Sequence, residues 1–226
     1  MPKQNQPMGY SFLSRRHLLA GSGAMIGAAS LGVGLPAQEA QAVEVSKLMA
    51  DNGLPVLSAG PDDAKVTIVE YASMTCPHCS RFHNDVYPKL KEKYVDTGKV
   101  RFVFREFPLD KLALAASMLA RCAGDGKAMP MVSVLFSKID DWAFVRGNPV
   151  PALLEIAKQA GFTEESFNKC LQDQALVDKL VQQTNVAAKD FNVTSTPTFF
   201  INGEKLQGAP TVENFAKAID PLLAGG

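Results

Sequence analysis

Two cysteines two residues apart, Cys76 and Cys79, lie in the stretch Tyr71–Phe82 (YASMTCPHCSRF) with Pro77 and His78 between them. Such a pair admits three chemistries: a structural staple, half of a zinc site, or a redox centre that cycles between dithiol and disulfide. A staple across so short a loop gains little, because the stabilisation grows with the length of chain closed. Structural zinc takes four ligands. Beyond residue 42 the only histidines are His78 and His83, both beside the pair, and there is no second C-x-x-C. No metal is therefore expected, and His83 reads as a solvated residue on a helix face. Redox exchange needs no cofactor beyond the two sulfurs.

The chemistry depends on what positions the pair. Val66, Ile68, Val69 and Tyr71 make a short β-rich run that reads as a buried strand, with Glu70 its one odd acid. After Cys76, the apolar residues Phe82, Val86, Leu90 and Tyr94 repeat every four positions, the mark of a helix with one apolar face. Pro88 predicts a kink in it. Cys76 then falls at the helix start, where unpaired N–H groups favour a thiolate. Pro77 suits the first turn, and a protonated or hydrogen-bonding His78 adds to the effect. The reading is asymmetric: Cys76 exposed and acidic, Cys79 shielded one turn on as the resolving thiol. Each unit by which the thiolate pKa falls stabilises the reduced form by about 1.4 kcal/mol, which makes the disulfide the stronger oxidant.

The remaining pattern completes an α/β fold. Residues 99–109 (KVRFVFREFPL) read as a second strand, and residues 109–191 as an all-helical block with a helix stop at Gly161 and an N-cap at Thr163. TPTFFINGEKLQG is a hairpin turned at Asn202-Gly203, and Thr211 caps a last amphipathic helix. The order β-α-β, helices, β-β-α outlines a thioredoxin-like fold with an inserted all-helical domain. The expected boundaries are 62–108 with 192–226 for the thioredoxin-like part, 109–191 for the insertion, and 43–61 for an N-terminal segment. Pro197 cannot donate to a sheet ladder. It either opens an edge strand in trans, or turns the chain through a cis bond that frees the Thr196 backbone to pair with an extended peptide.

The first 42 residues have their own logic: a polar start, Arg15-Arg16, a weakly apolar run from Leu18 to Leu35, and Ala40-Gln41-Ala42. That is the order of an export signal, cleaved after Ala42. The twin arginines and the Gly/Ala-rich run fit Tat-type export. A general secretory signal and a retained anchor are the alternatives. Of 23 basic and 23 acidic residues, removal of Lys3, Arg15, Arg16 and Glu39 leaves 20 and 22. A balance this even offers no basic stripe for nucleic acid. All four cysteines remain in the mature chain, which suits a disulfide-permissive compartment.

Taken together, Cys76-Pro77-His78-Cys79 after VTIVEYAS, the helical block, and Thr196-Pro197 before TFFING resemble the DsbA family of exported thiol:disulfide oxidoreductases, over roughly residues 60–223. The resemblance implies a thioredoxin fold with a helical insertion, a cis Pro197 against the cysteine pair, and dithiol–disulfide exchange with unfolded exported proteins in the periplasm. It implies a membrane quinone-linked reoxidant of the DsbB type. It also implies that Glu70 is a buried acid that handles the Cys79 proton. Cys122 and Cys170 are additional to the simplest members, as a second disulfide or as two buried thiols. Thr196 before the proline leaves the oxidising strength open, because threonine there also occurs in isomerases.

Three functions follow: a disulfide donor, an isomerase or reductase kept reduced by a membrane donor, and a non-catalytic holdase with Met74, Met129 and Met131 lining a groove. Only about 20 residues precede the fold in the mature chain, too few for a dimerising stalk, so a monomer is expected.

Overall fold

The computed structural model describes residues 42–124 and 126–225; the export signal lies outside them except for Ala42. The sheet is organised around β2 (Val66–Ala72), whose near-continuous apolar run suits a strand covered on both faces. Its neighbours are β3 (Val100–Glu106), parallel, with Val66 opposite Val100, and β4 (Thr198–Ile201), antiparallel, with Tyr71 opposite Thr198. β1 (Leu57–Ala59) and β5 (Glu204–Lys205) close the edges, giving the order β1-β3-β2-β4-β5. β1, and a one-turn helix α1 (Val45–Leu48), lie in the N-terminal segment 43–61, to which the sequence reading assigned no element. Three- and four-residue elements are too short to show periodicity.

The hairpin turns at Asn202 (φ 45°) and Gly203 (φ 90°), both left-handed as a type I′ turn requires. The Asn202 side chain accepts from the Thr67 N–H at 2.7 Å and donates to the Lys65 carbonyl at 3.2 Å, which locks β4 to the start of β2.

The helix after Cys76 does not kink at Pro88 alone. It alternates α2 (Pro77–Arg81), a π turn over Phe82–Val86, α3 (Tyr87–Leu90) and a second π turn over Lys91–Val95. Pro88 has no N–H to give, and the first wide turn, closed from the Tyr87 N–H to the Phe82 carbonyl, absorbs the break just before it. The extra residue rotates the buried face. His83 and Tyr87 join Phe82, Leu90 and Tyr94 inside, while Val86 is only half-buried.

Between β3 and β4 run α4 (Lys111–Cys122), α5 (Ala128–Ser137), α6 (Ile139–Trp142), α7 (Val150–Gln159), α8 (Glu164–Leu171) and α9 (Gln174–Asp190); α10 (Val212–Ala224) closes the chain. Asp110, Thr163 and Thr211 cap α4, α8 and α10 through side-chain oxygens. These helices share one apolar core with the sheet: Leu119, Val132 and Phe136 pack in the same cluster as Phe82 and Phe102. The opposite sheet face meets Ala187 and Phe191. Cys122 and Cys170 form a disulfide between α4 and α8, with Cα atoms 6.2 Å apart. Among the described residues no helix is long and apolar enough to cross a membrane.

Candidate active site

Cys76 is the N-cap of α2, in extended conformation, with Pro77 at the first helical position. Its own N–H bonds to the Ser73 carbonyl at 3.0 Å and its carbonyl takes the Ser80 N–H at 3.1 Å. The loop before it is tied to the helical block: Thr75 donates to Asp110 at 2.6 Å, and Ser73 accepts the Leu109 N–H at 3.3 Å. After it, Ser80 donates to the Phe136 carbonyl at 2.9 Å, which anchors α2 to α5. The pair therefore sits on a braced strand–loop–helix junction.

The two sulfurs, both free thiols here, face opposite fates. The Cys76 thiol is lowered to about 5, chiefly by the hydrogen bond that Cys79 gives it, against the cost of burial and with help from Thr196 and from the Cys79 and His78 backbone N–H groups. Cys79 is pushed far up by burial and by the Cys76 and Glu70 charges. Cys76 is only 6% exposed, less open than the sequence suggested, but Cys79 is at 0%.

His78 meets Cys76 through its main chain. Its ring is exposed and accepts from Arg81 Nη2 at 3.1 Å, while its N–H supports the Cys76 thiolate. Thr196-Pro197 is a cis peptide, and the Thr196 carbonyl lies 3.4 Å from Cys76 Sγ. Thr196 and Pro197 are half-buried beside the pair.

Glu70 projects from β2 into the core beneath α2 and is wholly buried. Burial raises its pKa; His83 opposes this and the Cys76 charge adds to it. His83 is the residue that sequence reasoning misplaced. It is buried, not solvated, with Nε2 2.8 Å from Glu70 Oε2 and its ring stacked on Phe136. The π turn over Phe82–Val86 widens the inward face by one residue, which a regular helical period does not anticipate.

Residues 55–221 match the family described as Thioredoxin. The crystal structure of Wolbachia pipientis alpha-DsbA1 superposes with a TM-score of 0.71 at 34% identity, covering 78% of this chain and 97% of that one. This chain belongs to the DsbA family within the thioredoxin superfamily. It is 38% identical over 165 residues to a Rickettsia bellii protein named for protein-disulfide oxidoreductase activity, covering 73% of this chain and 63% of that protein. It thus spans less than two thirds of that relative's length. Disulfide bond formation protein D of Bacillus subtilis is 27% identical over 183 residues, covering 76% of this chain and 78% of that one.

In this DsbA-family chain the structure brings Cys76, Pro77, Cys79, Glu70, Thr196 and Pro197 to one place, adds His83, and turns the His78 ring outward. Cys122 and Cys170 stand apart, at the far end of α4. The three methionines do not line one groove: Met74 is 0% and Met131 2% exposed in the core, and Met129 lines a cavity on the Cys122 side. Among the described residues no group of three or more His, Cys, Asp or Glu side chains is arranged to hold a metal ion.

Proposed function

We propose that this chain is an exported thiol:disulfide oxidoreductase that introduces disulfides into unfolded exported proteins. The observation that carries the reading is the opposite tuning of two adjacent sulfurs, Cys76 down to about 5 and Cys79 pushed far up. A client thiolate attacks Cys76 Sγ; the client–Cys76 bond forms, the Cys76–Cys79 bond breaks, and Cys79 leaves and takes a proton. A second client thiolate then attacks the client sulfur, and Cys76 departs as the stable thiolate. The client is oxidised by two electrons and the pair is reduced by two. Thr196 and Pro197 hold the client chain beside Cys76, Glu70 handles the Cys79 proton, and Cys122–Cys170 is structural.

The remaining roles belong to the same proposal. A quinone-linked membrane partner of the DsbB type reoxidises the pair, with no metal or further cofactor. The chain works as a monomer in the periplasm after Tat-type export and cleavage behind Ala42. The thioredoxin-like part is 62–108 with 192–226, and 109–191 is the insertion. One feature favours a second reading, isomerase or reductase: Thr196 before the cis proline.

Cys79→Ser is the test. It should trap client proteins on Cys76 as mixed disulfides, and recovery of no adducts from cells sinks the exchange mechanism. Acid quenching and mass-tagging of the unmodified chain then separates the readings: a mostly oxidised pair marks a donor, a mostly reduced pair an isomerase or reductase.

A further inference from the structure

We propose that folding closes the export-cleavage bond: the backbone of residues 43–50, which a signal-cleaving protease must engage, is docked on the sheet as a strap, and cleavage of the folded precursor waits for that strap to open. The gate presupposes the cleavage behind Ala42 proposed above. It begins at the bond itself. The Val43 N–H, the amide of that bond, donates to the Gly203 carbonyl at 2.9 Å. The Val43 carbonyl lies so close to the hairpin turn that a Cβ on Gly203 would run into it. Glycine is therefore needed at 203 twice, for its φ of 90° and for this approach.

Beyond Val43 the chain winds into α1, with the Leu48 N–H on the Glu44 carbonyl at 3.3 Å and the Met49 N–H on the Val45 carbonyl at 2.9 Å. Leu48 is 2% exposed and packs, with Val43 and Met49, in the cluster of Val69, Tyr71, Val103 and Phe200. A buried cation holds the far end. Arg105, 1% exposed, donates to the Leu48 carbonyl at 3.1 Å and the Ala50 carbonyl at 3.2 Å, and to Gln183 Oε1 at 3.2 Å. If the strap lifts, this guanidinium loses two of those three acceptors and stays in an apolar setting. That loss is costly for a buried charge, so the closed form is favoured.

A protease takes its substrate as an extended strand with free main-chain groups on both sides of the bond. The docked strap offers neither: the Val43 N–H is engaged, residues 45–48 are helical, and the Leu48 and Ala50 carbonyls are occupied. Backbone tied down in this way is cut through its open population. A chain that crosses the membrane unfolded is cut before the strap forms; a chain that crosses folded must open it. Hydrolysis adds one water across the bond, leaving a carboxylate on Ala42 and an ammonium on Val43. The strap then recloses with that ammonium facing the Gly203 carbonyl, a stronger donor than the amide it replaces, so docking is tighter after cleavage than before.

The experiment incubates the full folded precursor, in detergent, with a purified bacterial signal peptidase and follows the products by mass. Arg105→Met removes the donors that hold the strap, and Leu48→Ala loosens its packing. Each should be cut between Ala42 and Val43 about tenfold faster than the unmodified precursor, the scale of one hydrogen bond to a charged group. Hydrogen exchange over residues 43–50 should quicken by a matching factor. The thiolate titration of Cys76 should stay unchanged in both variants, which shows that the body of the fold is intact; if Arg105→Met does not fold, Leu48→Ala carries the comparison. Equal cleavage rates in the three proteins, or faster cleavage with no loss of protection over residues 43–50, would overturn the gate. Product mass keeps it apart from the export reading: cutting behind Ala42 at one rate throughout removes the gate and leaves the signal. No cut there, even in precursor diluted from denaturant into the protease, removes the signal and the gate with it.

Discussion

Cys76 Sγ lies 3.4 Å from the Thr196 carbonyl oxygen, across the cis bond to Pro197. Thr196 acts on this sulfur twice. Its carbonyl accepts from the thiol, which favours the protonated form. Its hydroxyl is buried with no hydrogen-bond partner, which leaves it free to serve the thiolate, and the net influence of Thr196 is downward. Thr196→Val keeps the shape and the carbonyl and removes the hydroxyl. The Cys76 pKa should rise from about 5, and the disulfide should become a weaker oxidant, read from thiolate absorbance against pH and from equilibrium with glutathione. An unmoved midpoint would show that the hydroxyl takes no part.

The opposed thiols also make the reduced protein pH-sensitive. Cys76 titrates at about 5 when folded, against roughly 8.5 for an unfolded cysteine. A depressed folded value stabilises the fold above the unfolded pKa, and that contribution is lost as pH falls through about 5. Cys79 works in the opposite sense: its raised value disfavours the fold as pH climbs past roughly 8.5. The melting advantage of reduced over oxidised protein should therefore be greatest between these limits and shrink on either side. In the same samples, alkylation of Cys76 should follow a midpoint near 5, with Cys79 unreactive; equal labelling of both sulfurs contradicts the assignment.

Much of this site is legible in the chain, for physical reasons. Cys76, Pro77 and Cys79 declare themselves because strand, C-x-x-C and helix are local signals, and Asn202-Gly203 because only a few residues accept a left-handed turn. Thr196-Pro197 is visible as a break in strand chemistry; that it lies against Cys76, 120 residues earlier, is not. His83 is hidden because its burial depends on a π turn, and the hydrophobic period assumes regular α geometry. β1 escapes notice because three residues carry no period. The outward direction of the His78 ring is not legible, because adjacent residues on a helix do not share a direction.

A second buried network, on the helical side, sets a stability prediction. Glu106, at 0% exposure, takes two hydrogen bonds from Arg121, at 2.5 and 2.8 Å, and one from Gln183 Nε2 at 2.9 Å. Arg121→Met strips the charge partner and should cost about 3–5 kcal/mol in denaturant unfolding, because it leaves a buried carboxylate uncompensated. Adding Glu106→Gln should recover a large part of that loss. A double variant no more stable than Arg121→Met would mean that packing of the arginine stem, not charge, is what matters.

The Cys122–Cys170 disulfide should stabilise without taking part in exchange. It closes a loop of 48 residues, and in the chain-entropy description such a loop contributes about 4 kcal/mol. Asp110, at the other end of α4, touches the active-site loop through Thr75. Cys122 lies twelve residues further on, about 18 Å along the helix. Cys122→Ala with Cys170→Ala should therefore melt several degrees lower, while the Cys76 midpoint and the rate at which Cys79 displaces glutathione from Cys76 stay unchanged. A shift in that midpoint would mean that α4 transmits strain to the loop through Asp110, and Asp110→Asn in the disulfide-free background would then restore it. An unchanged melting temperature would instead show that the two sulfurs are unpaired thiols in solution.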